Sequence, residues 1–402
     1  MIKLVGLAIL FSFSAAAQND TTKPLVQENK KEKKWYDNIS IRGYMQVRYN
    51  RLLETNQDLK CEQCDRSWGE NGGIFLRRMR VILYGQIHEQ VYFYIQPDFA
   101  SSASSTSLHF GQLRDAYVDL GFDKKNEFRV RLGQSKVPFG FENMQSSQNR
   151  LPLDRNDALN SAFLNERDLG AFFYWAPGKK RRLFSTLVNE GYKGEGDYGV
   201  VAFGVFNGQT ANKPEQNNLL HVVGRIAYPF QIGEQTIEPS IQAYTGKYVL
   251  TPDQISPGVK IVKDNQYVDR RIAASFVLSP KPFGIQTEFN FGKGPEFNKE
   301  TDSIETKKLT GGYITFNYRI KTKEQIIFPF LRMQYYSGGK KFELDARSYT
   351  VNEYELGVEW QPIRNFEFVA EYVRSKRRFE DFRKQDNLQK GGLMRLQAQL
   401  NF

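Results

Sequence analysis

Histidine and cysteine are scarce in this chain, which contains three histidines and two cysteines among 402 residues. A catalytic nucleophile needs an adjacent base to activate it, and a zinc site needs four suitable ligands. His88 falls at a predicted turn, His109 in a loop and His221 at the start of a predicted strand, and none has an evident serine partner. The sequence therefore predicts no enzyme, no metal site and no cofactor.

Long hydrophobic runs are also missing, since no window after the N-terminal segment approaches 18 apolar residues and the mean hydropathy is −0.56. This excludes a bundle of membrane helices. Yet the chain contains 31 Phe and 21 Tyr, a load that aromatic girdles at two membrane interfaces would use. A transmembrane barrel explains both facts, because its strands expose only every second residue to lipid.

The N-terminus has the pattern of an export signal. Lys3 is followed by an apolar stretch, Leu4 to Phe13, and by the small residues Ala15 to Ala17 before Gln18. A membrane anchor is the alternative, but the apolar stretch is shorter than a spanning helix requires. We expect residues 1–17 to be a signal peptide and the polar residues 18–38 to be a flexible periplasmic tail.

From residue 39 onwards, segments of about ten residues with alternating polarity recur sixteen times, as expected for tilted membrane strands. Short turns such as 88–89, 123–126 and 281–282 alternate with longer polar connections. The expected fold class is all-β: residues 39–402 form a transmembrane antiparallel β-barrel of sixteen strands in the outer membrane of a Gram-negative bacterium. Leu183–Asn189 is a further strand-like stretch, which we interpret as an irregular insertion, preceded by a solvated turn of basic residues at 179–182.

The formal net charge of +11 favours anionic partners. An exported barrel meets lipid phosphates and small anions rather than nucleic acid, so outer-membrane lipids and small anions are the expected partners. In this compartment Cys61 and Cys64 are expected to form a small disulfide, whereas a zinc site or a thioredoxin-like motif lacks the surroundings it needs.

Lumenal charges decide the selectivity of a pore, and Lys and Arg favour anions. Strand parity predicts that Arg78 and Arg80 face the lumen and places Arg77 on the outer parity near the rim. It likewise turns Asp115 inward, where it can pair with arginines across the wall. Further candidates are Arg129 and Arg131, with inward parity; Lys136, whose facing depends on a bulge at Gly133; and Arg150 and Arg155, in a long segment (139–168) that can fold inward. The alternative is that these charges form a wall network.

Five stretches resemble the phosphate-selective porin O and P family: Leu76–Arg80 (LRRMR), Leu113–Tyr117 (LRDAY), Gly133–Gly140 (GQSKVPFG), Arg167–Ala171 (RDLGA) and Val205–Gly208 (VFNG). The second half of the chain is similar in strand pattern and in its terminal Phe402. The resemblance implies a sixteen-stranded homotrimer whose third loop folds inward. In the matching motifs, Arg77, Arg78 and Lys136 occupy basic positions and Asp115 an acidic one near the pore wall.

The expected function is passive diffusion of small anions, phosphate or polyphosphate among them. The alternative is a structural or adhesive outer-membrane barrel without specific transport, because external loops can also carry attachment or partner binding.

Overall fold

The described part of the chain is a closed antiparallel sheet with a few short helices. A computed structural model describes residues 34–52, 73–99 and 111–402. The predicted signal peptide, most of the predicted tail, and Cys61 and Cys64 lie outside these residues. A 3₁₀ turn, Trp35–Asn38, leads into the sheet.

Sixteen strands are formed by the described residues. They are β1 (Ile39–Leu52), β2 (Gly73–His88), β3 (Val91–Asp98), β4 (Gln112–Gly121), β5 (Phe128–Lys136), β6 (Arg167–Trp175), β7 (Val201–Phe206), β8 (His221–Ala227 with Phe230–Ile232), β9 (Gln235–Val249), β10 (Gln266–Leu278), β11 (Phe283–Asn298), β12 (Ser303–Tyr318 with Ile320–Thr322), β13 (Gln325–Gly339), β14 (Ser348–Ile363), β15 (Phe366–Glu380) and β16 (Asn387–Asn401). The two parts of β8 pair with the same neighbour, β9, and the two parts of β12 pair with β13.

Each strand pairs with its neighbours in sequence, and the sheet closes because β1 pairs with both β2 and β16. At the seam Tyr49 lies opposite Leu396 and Met45 opposite Leu400. Closure leaves no sheet edge whose backbone groups would go unpaired in lipid. The predicted sixteen-stranded antiparallel barrel is confirmed.

The two faces of the wall differ as the strand period predicts. On β14, Leu356, Val358 and Trp360 are 62%, 43% and 42% exposed on the outside, whereas Glu355 and Glu359 are buried inside. The alternating polarity of the last strand predicts that Met394, Leu396 and Leu400 face lipid and that Arg395 and Gln397 face the lumen, and the burial pattern of β16 agrees. An apolar outer surface therefore encloses a polar interior.

The wall is lower on one side than on the other. Strands β5, β6 and β7 contain 9, 9 and 6 residues, whereas β14, β15 and β16 contain 16, 15 and 15. The short wall is thus formed by consecutive strands in the first half of the chain.

Three helices interrupt the strands: α1 (Phe141–Met144), α2 (Asp157–Asn160) and α3 (Gly178–Asn189). Helix α3 corrects two expectations, because it contains both the basic run at 179–182 and the strand-like stretch at 183–189. Phe184 and Leu187, one helical turn apart, are its buried residues, and Phe184 packs on Ala176 and Val200. No helix in the described residues is long and apolar enough to cross a bilayer.

A lysine at the outward Leu356, midway along β14, should lower the free energy of unfolding by about 2–4 kcal/mol, because a cation at mid-membrane depth loses its hydration. The matched substitution Thr350→Lys, on the same face near the strand end, should cost only about 0–1 kcal/mol. Denaturant unfolding in lipid vesicles, followed by tryptophan fluorescence, measures both. Equal costs would mean that this face does not lie against lipid.

Candidate functional site

Residues 137–166, here called the inward loop, connect β5 to β6 and fold into the barrel, as predicted for the long segment at 139–168. Nearly all of them are buried. On one side the loop packs an apolar surface, including Phe139, Leu159 and Phe163, against Phe172 and Tyr244 of the wall. This apolar contact holds the loop against the inner face of β6 to β10.

On its other side the inward loop reaches across the lumen through charged contacts. Glu142 accepts a hydrogen bond from Arg332 of β13 at 2.7 Å, and Asp157 accepts one from Lys340 at 2.6 Å. The Leu153 amide donates to Glu371 of β15 at 3.0 Å. Buried charge pairs of this kind fix geometry more than they add stability, so the loop has a defined position in the bore.

A β-bulge in β2 corrects the predicted facing of Arg77. Gln46 of β1 pairs with Arg78 and the next residue, Val47, pairs with Leu76, so Arg77 is the extra residue of the bulge. A bulge redirects the side chain of the inserted residue. The Arg77 guanidinium lies 3.6 Å from Asp154 of the inward loop, so Arg77 and Arg78 both face the bore.

The inward loop and β2 enclose a small cavity, here called the arginine cavity, of about 70 Å³. A single water needs roughly 10–15 Å³ of such space, so the cavity can hold a small oxyanion. Two carboxylates line it, Asp154 and Glu166, against six arginines. The arginines are Arg77, Arg78, Arg80, Arg114, Arg150 and Arg155.

Five of the six arginines have a carboxylate nearby. Arg80 and Arg114 lie 2.7 and 3.4 Å from Asp98, Arg150 and Arg155 lie 3.0 and 3.3 Å from Glu166, and Arg77 contacts Asp154. Arg78 is different. It donates a hydrogen bond to Gln46 at 2.8 Å, is 6% exposed, and has no carboxylate within ion-pair distance among the residues that the structure describes.

Glu166 is shared by four cations, two of which are arginines of the cavity. Besides Arg150 and Arg155 it contacts Arg167, and the Lys136 ammonium lies 3.8 Å away. Burial acts to raise the pKa of Glu166, but the charges of Lys136, Arg167 and Arg155 outweigh it and hold that pKa well below its usual range. Glu166 therefore stays ionised and balances part of the positive charge.

The remaining predicted residues lie in the wall network or beside it. Asp115 accepts a hydrogen bond from Arg167 at 2.9 Å, and Arg131 binds Asp119 through two hydrogen bonds, of 2.7 and 2.9 Å. Arg129 pairs with Asp197 at 2.8 Å. Their inward parity agrees with the prediction, but they do not line the arginine cavity.

Lys136, the last residue of β5, is buried inside the barrel. Gly133 has a φ of 121°, but the pairing of β5 with β4 and β6 continues through it without the bulge that the sequence suggested. The Lys136 ammonium donates to the carbonyls of Met144 and Gln145 at 3.0 and 2.8 Å. Lys136 therefore holds the inward loop, and it lines a second cavity of about 240 Å³ together with Asp115 and Arg131.

A second obstruction, which includes the stretch interpreted from the sequence as an irregular insertion, enters from the periplasmic end. The connection from β6 to β7 contains α3 and, after it, a buried stretch. We call the two together, residues 178–198, the periplasmic insertion. Lys193 contacts Glu359 of β14 at 2.5 Å, and Asp197 contacts Arg129 of β5. Because β5 and β14 lie on nearly opposite sides of the ring, the insertion crosses the bore.

The two obstructions touch. Gln145 of the inward loop donates to the Lys193 carbonyl at 2.7 Å. Glu195 of the insertion forms an ion pair with Arg225 of β8, and the Glu190 carbonyl accepts from Arg319 at 3.2 Å. The sequence carried one signal for this element, a connection of more than twenty residues where the alternation of turns required a short one.

Comparison with known proteins gives a family and a fold. The model of the family described as phosphate-selective porin O and P matches residues 55–402. No curated protein sequence matches the chain.

Among solved structures, the outer-membrane channel DcaP of Acinetobacter baumannii is similar with a TM-score of 0.57 at 13% identity, covering 90% of this chain and 97% of that one. OmpF of Salmonella typhi, solved with daunomycin, has a TM-score of 0.55 at 11% identity, over 90% and 97% of the two chains. The anion-selective porin of Comamonas acidovorans has a TM-score of 0.50 at 11% identity, over 90% and 99%. At these identities the structures show a shared fold.

Replacing the periplasmic insertion by a short Gly-Ser turn should increase the single-channel conductance severalfold, because the segment that spans the bore would be gone. Planar-bilayer recording measures this, and heat-modifiable migration on a gel checks that the barrel still folds. The control is Arg182→Ala, on the exposed side of α3, which should conduct like the parent. A folded replacement variant with parental conductance would mean that the insertion does not limit the flow.

Proposed function

Because this chain belongs to the phosphate-selective porin O and P family, we propose that its outer-membrane barrel conducts small oxyanions, and that the arginine cavity is the site that selects them. The family makes the protein an outer-membrane porin. What we propose is which anions the porin conducts, which residues select them and how many chains assemble.

The single observation that carries the proposal is the charge imbalance of the arginine cavity. Six arginines face two carboxylates around about 70 Å³. A buried cation without an ion-pair partner is costly, and among the described residues no carboxylate lies within ion-pair distance of Arg78. An oxyanion beside Arg78 would supply the missing charge and accept hydrogen bonds from guanidinium groups, whose planar fork matches phosphate oxygens.

A buried donor points to the same ligand class. The Nε group of Arg150 is buried and has no hydrogen-bond partner in the described residues. Arg150 lines the arginine cavity. A bound phosphate offers several acceptor oxygens, whereas chloride offers one spherical charge. The site is therefore better suited to phosphate-like anions than to halide.

Asp154 and Glu166 explain how a strongly basic cavity can still release its anion. Burial acts to raise the pKa of Asp154, but Arg48, Arg395 and Arg77 together hold it below its usual range, so both cavity carboxylates are charged. Conduction requires binding that is favourable enough to enter and weak enough to leave. Two fixed negative charges among six arginines weaken the binding in this way.

Two larger cavities also lie in the barrel. The cavity of about 240 Å³ lies between the inward loop and the insertion. One of about 730 Å³ opens at the periplasmic end, where Lys321, Lys323 and Arg364 line it together with Glu190, Glu324 and Glu367. The basic groups there would attract anions to this end of the bore.

A structural or adhesive barrel without transport is the second candidate. The observation that favours it is the pair of obstructions, since the inward loop and the insertion contact each other within the bore. Measurable conductance through the purified protein would separate the two candidates.

The short wall supports assembly into a homotrimer. Outward residues there are large and apolar, with Phe203 55% exposed and Leu132 and Leu169 41% and 43% exposed. Strand β7, with 6 residues, is shorter than the roughly 9–11 residues of a spanning strand. A neighbouring copy would cover the wall there, while the long strands β9 to β16 would face lipid.

Arg78→Glu should shift the reversal potential in a salt gradient towards cation selectivity. At an effective dielectric near 20, a unit charge at 4 Å is worth about 4 kcal/mol, compared with about 1 kcal/mol in bulk water. One reversed charge inside the cavity can therefore change the sign of the preferred ion. The measurement is the zero-current potential across a planar bilayer.

Lys384→Glu is the matched control, because it makes the same charge reversal in the exposed connection between β15 and β16. With a Debye length of about 8 Å at 0.15 M salt, this remote charge should change the potential little. If Arg78→Glu behaves like the parent, then Arg78 is part of the wall and the assigned site is wrong.

For the assembly, native mass spectrometry of the purified protein should give the mass of three chains. Phe203→Gln on the short wall should increase the monomer fraction, since it places a polar group in the proposed contact. Leu356→Gln, on the lipid-facing long wall, should leave the trimer intact. A monomeric parent protein would contradict the assembly.

A further inference from the structure

Three cations lie side by side on the outer surface of the barrel, far from the bore. Arg270 of β10 is directly opposite Lys293 of β11, and Lys293 is directly opposite Lys308 of β12. All three have outward parity, because the outward Ile272 and Phe291 are two positions away on the same strands. Arg270, Lys293 and Lys308 therefore form a continuous line across three neighbouring strands, which we call the row.

This arrangement is unfavourable as it stands. Side chains directly opposite on antiparallel strands have Cβ atoms about 4.5–5.5 Å apart, and like charges there repel. None of the three cations has an ion-pair partner in the part of the chain that the structure describes. The row lies on the half of each strand nearer the external loops, so its natural counter-charge must come from outside the protein.

An apolar trough lies directly below the row, towards the middle of the membrane. The next outward rung across the same strands consists of Ile272, Phe291, Thr310 and Ser337. The rung after that contains Ala274, Phe289 and Gly312, and the phenyl ring of Phe289 packs over Gly312. The groove formed by the row and the first rung has a volume of about 780 Å³.

We propose that this groove, formed by Arg270, Lys293, Lys308 and the apolar rung beneath them, binds a phosphorylated lipid of the outer leaflet. The cations meet the headgroup phosphate, and an acyl chain lies along the trough. The cations lie towards the external side and the trough towards the membrane centre. A lipid of the outer leaflet has its phosphate and its acyl chain in the same order.

Other occupants fit these observations less well. A free phosphate would use the cations and leave the apolar trough empty. A second copy of the chain would bring its own outward surface, which offers basic rather than acidic residues at this height: Arg374, Lys376, Arg378 and Lys390 are exposed outward residues of β15 and β16. The inference is independent of the pore function, because none of these residues faces the bore.

The barrel supplies a closely matched control. Lys376 and Lys390 are also directly opposite each other on neighbouring strands, β15 and β16, and also face outward. They therefore share the charge, spacing and orientation of the Lys293 and Lys308 pair, but they do not line the groove.

The test uses purified protein freed of bound lipid in detergent and titrated with lipid A that carries its phosphates, with binding followed by native mass spectrometry. K293Q/K308Q should weaken binding about tenfold or more, since each basic group near a membrane surface contributes appreciably to binding anionic lipid. K376Q/K390Q should bind like the parent. Lipid A without phosphates should bind the parent as weakly as phosphorylated lipid A binds K293Q/K308Q.

A further variant tests the trough separately from the charge. Thr310→Trp fills the space below the cations and leaves every charge in place, so it should also weaken binding. If K293Q/K308Q and K376Q/K390Q lost lipid A binding equally, then outward basic residues would attract the lipid in general, and the proposal would be overturned. Undiminished binding by Thr310→Trp, or by lipid A without phosphates, would overturn it as well. Heat-modifiable migration establishes that each variant is folded.

Discussion

The pairing of β1 with β16 is the interaction on which the rest of this structure depends. Inside a bilayer every backbone donor and acceptor must find a partner in the protein, and a sheet meets that demand only when it closes. Closure also creates two surfaces with opposite requirements. Lipid accepts only apolar side chains at mid-membrane depth, so charged residues in the middle of the strands, such as Glu355 and Arg332, face the interior.

The confined charges organise the bore. Glu142, Asp154 and Asp157 of the inward loop each meet cations from the far side of the barrel, while Lys193 and Asp197 do the same for the periplasmic insertion. The interior is thus cross-linked by ion pairs, in addition to the apolar clusters that hold the inward loop against the wall. Such pairs tolerate water around them, which an interior built to conduct ions requires.

The sequence allowed the strands and their facing to be predicted because a period of two is a local signal. It placed Arg78, Arg80, Arg129 and Arg131 inside for that reason. It failed at Arg77, because a bulge is a property of the register between two strands and not of either strand alone. Helix α3 was missed for a different reason: a short apolar run such as Leu183–Asn189 fits either period, and only packing on Ala176 and Val200 decides between them.

The pairing register between strands also decides which lumenal arginines meet a carboxylate and which can act on a passing ion. Arg131 and Arg129 were as plausible as Arg78 from parity alone, yet each meets a carboxylate, Asp119 or Asp197. A paired arginine acts at a distance as a dipole, so its influence on a passing ion fades quickly. The formal charge of +11 is therefore a poor guide to selectivity. The selection site that we propose is instead the arginine cavity, where six arginines and two carboxylates line a space of about 70 Å³.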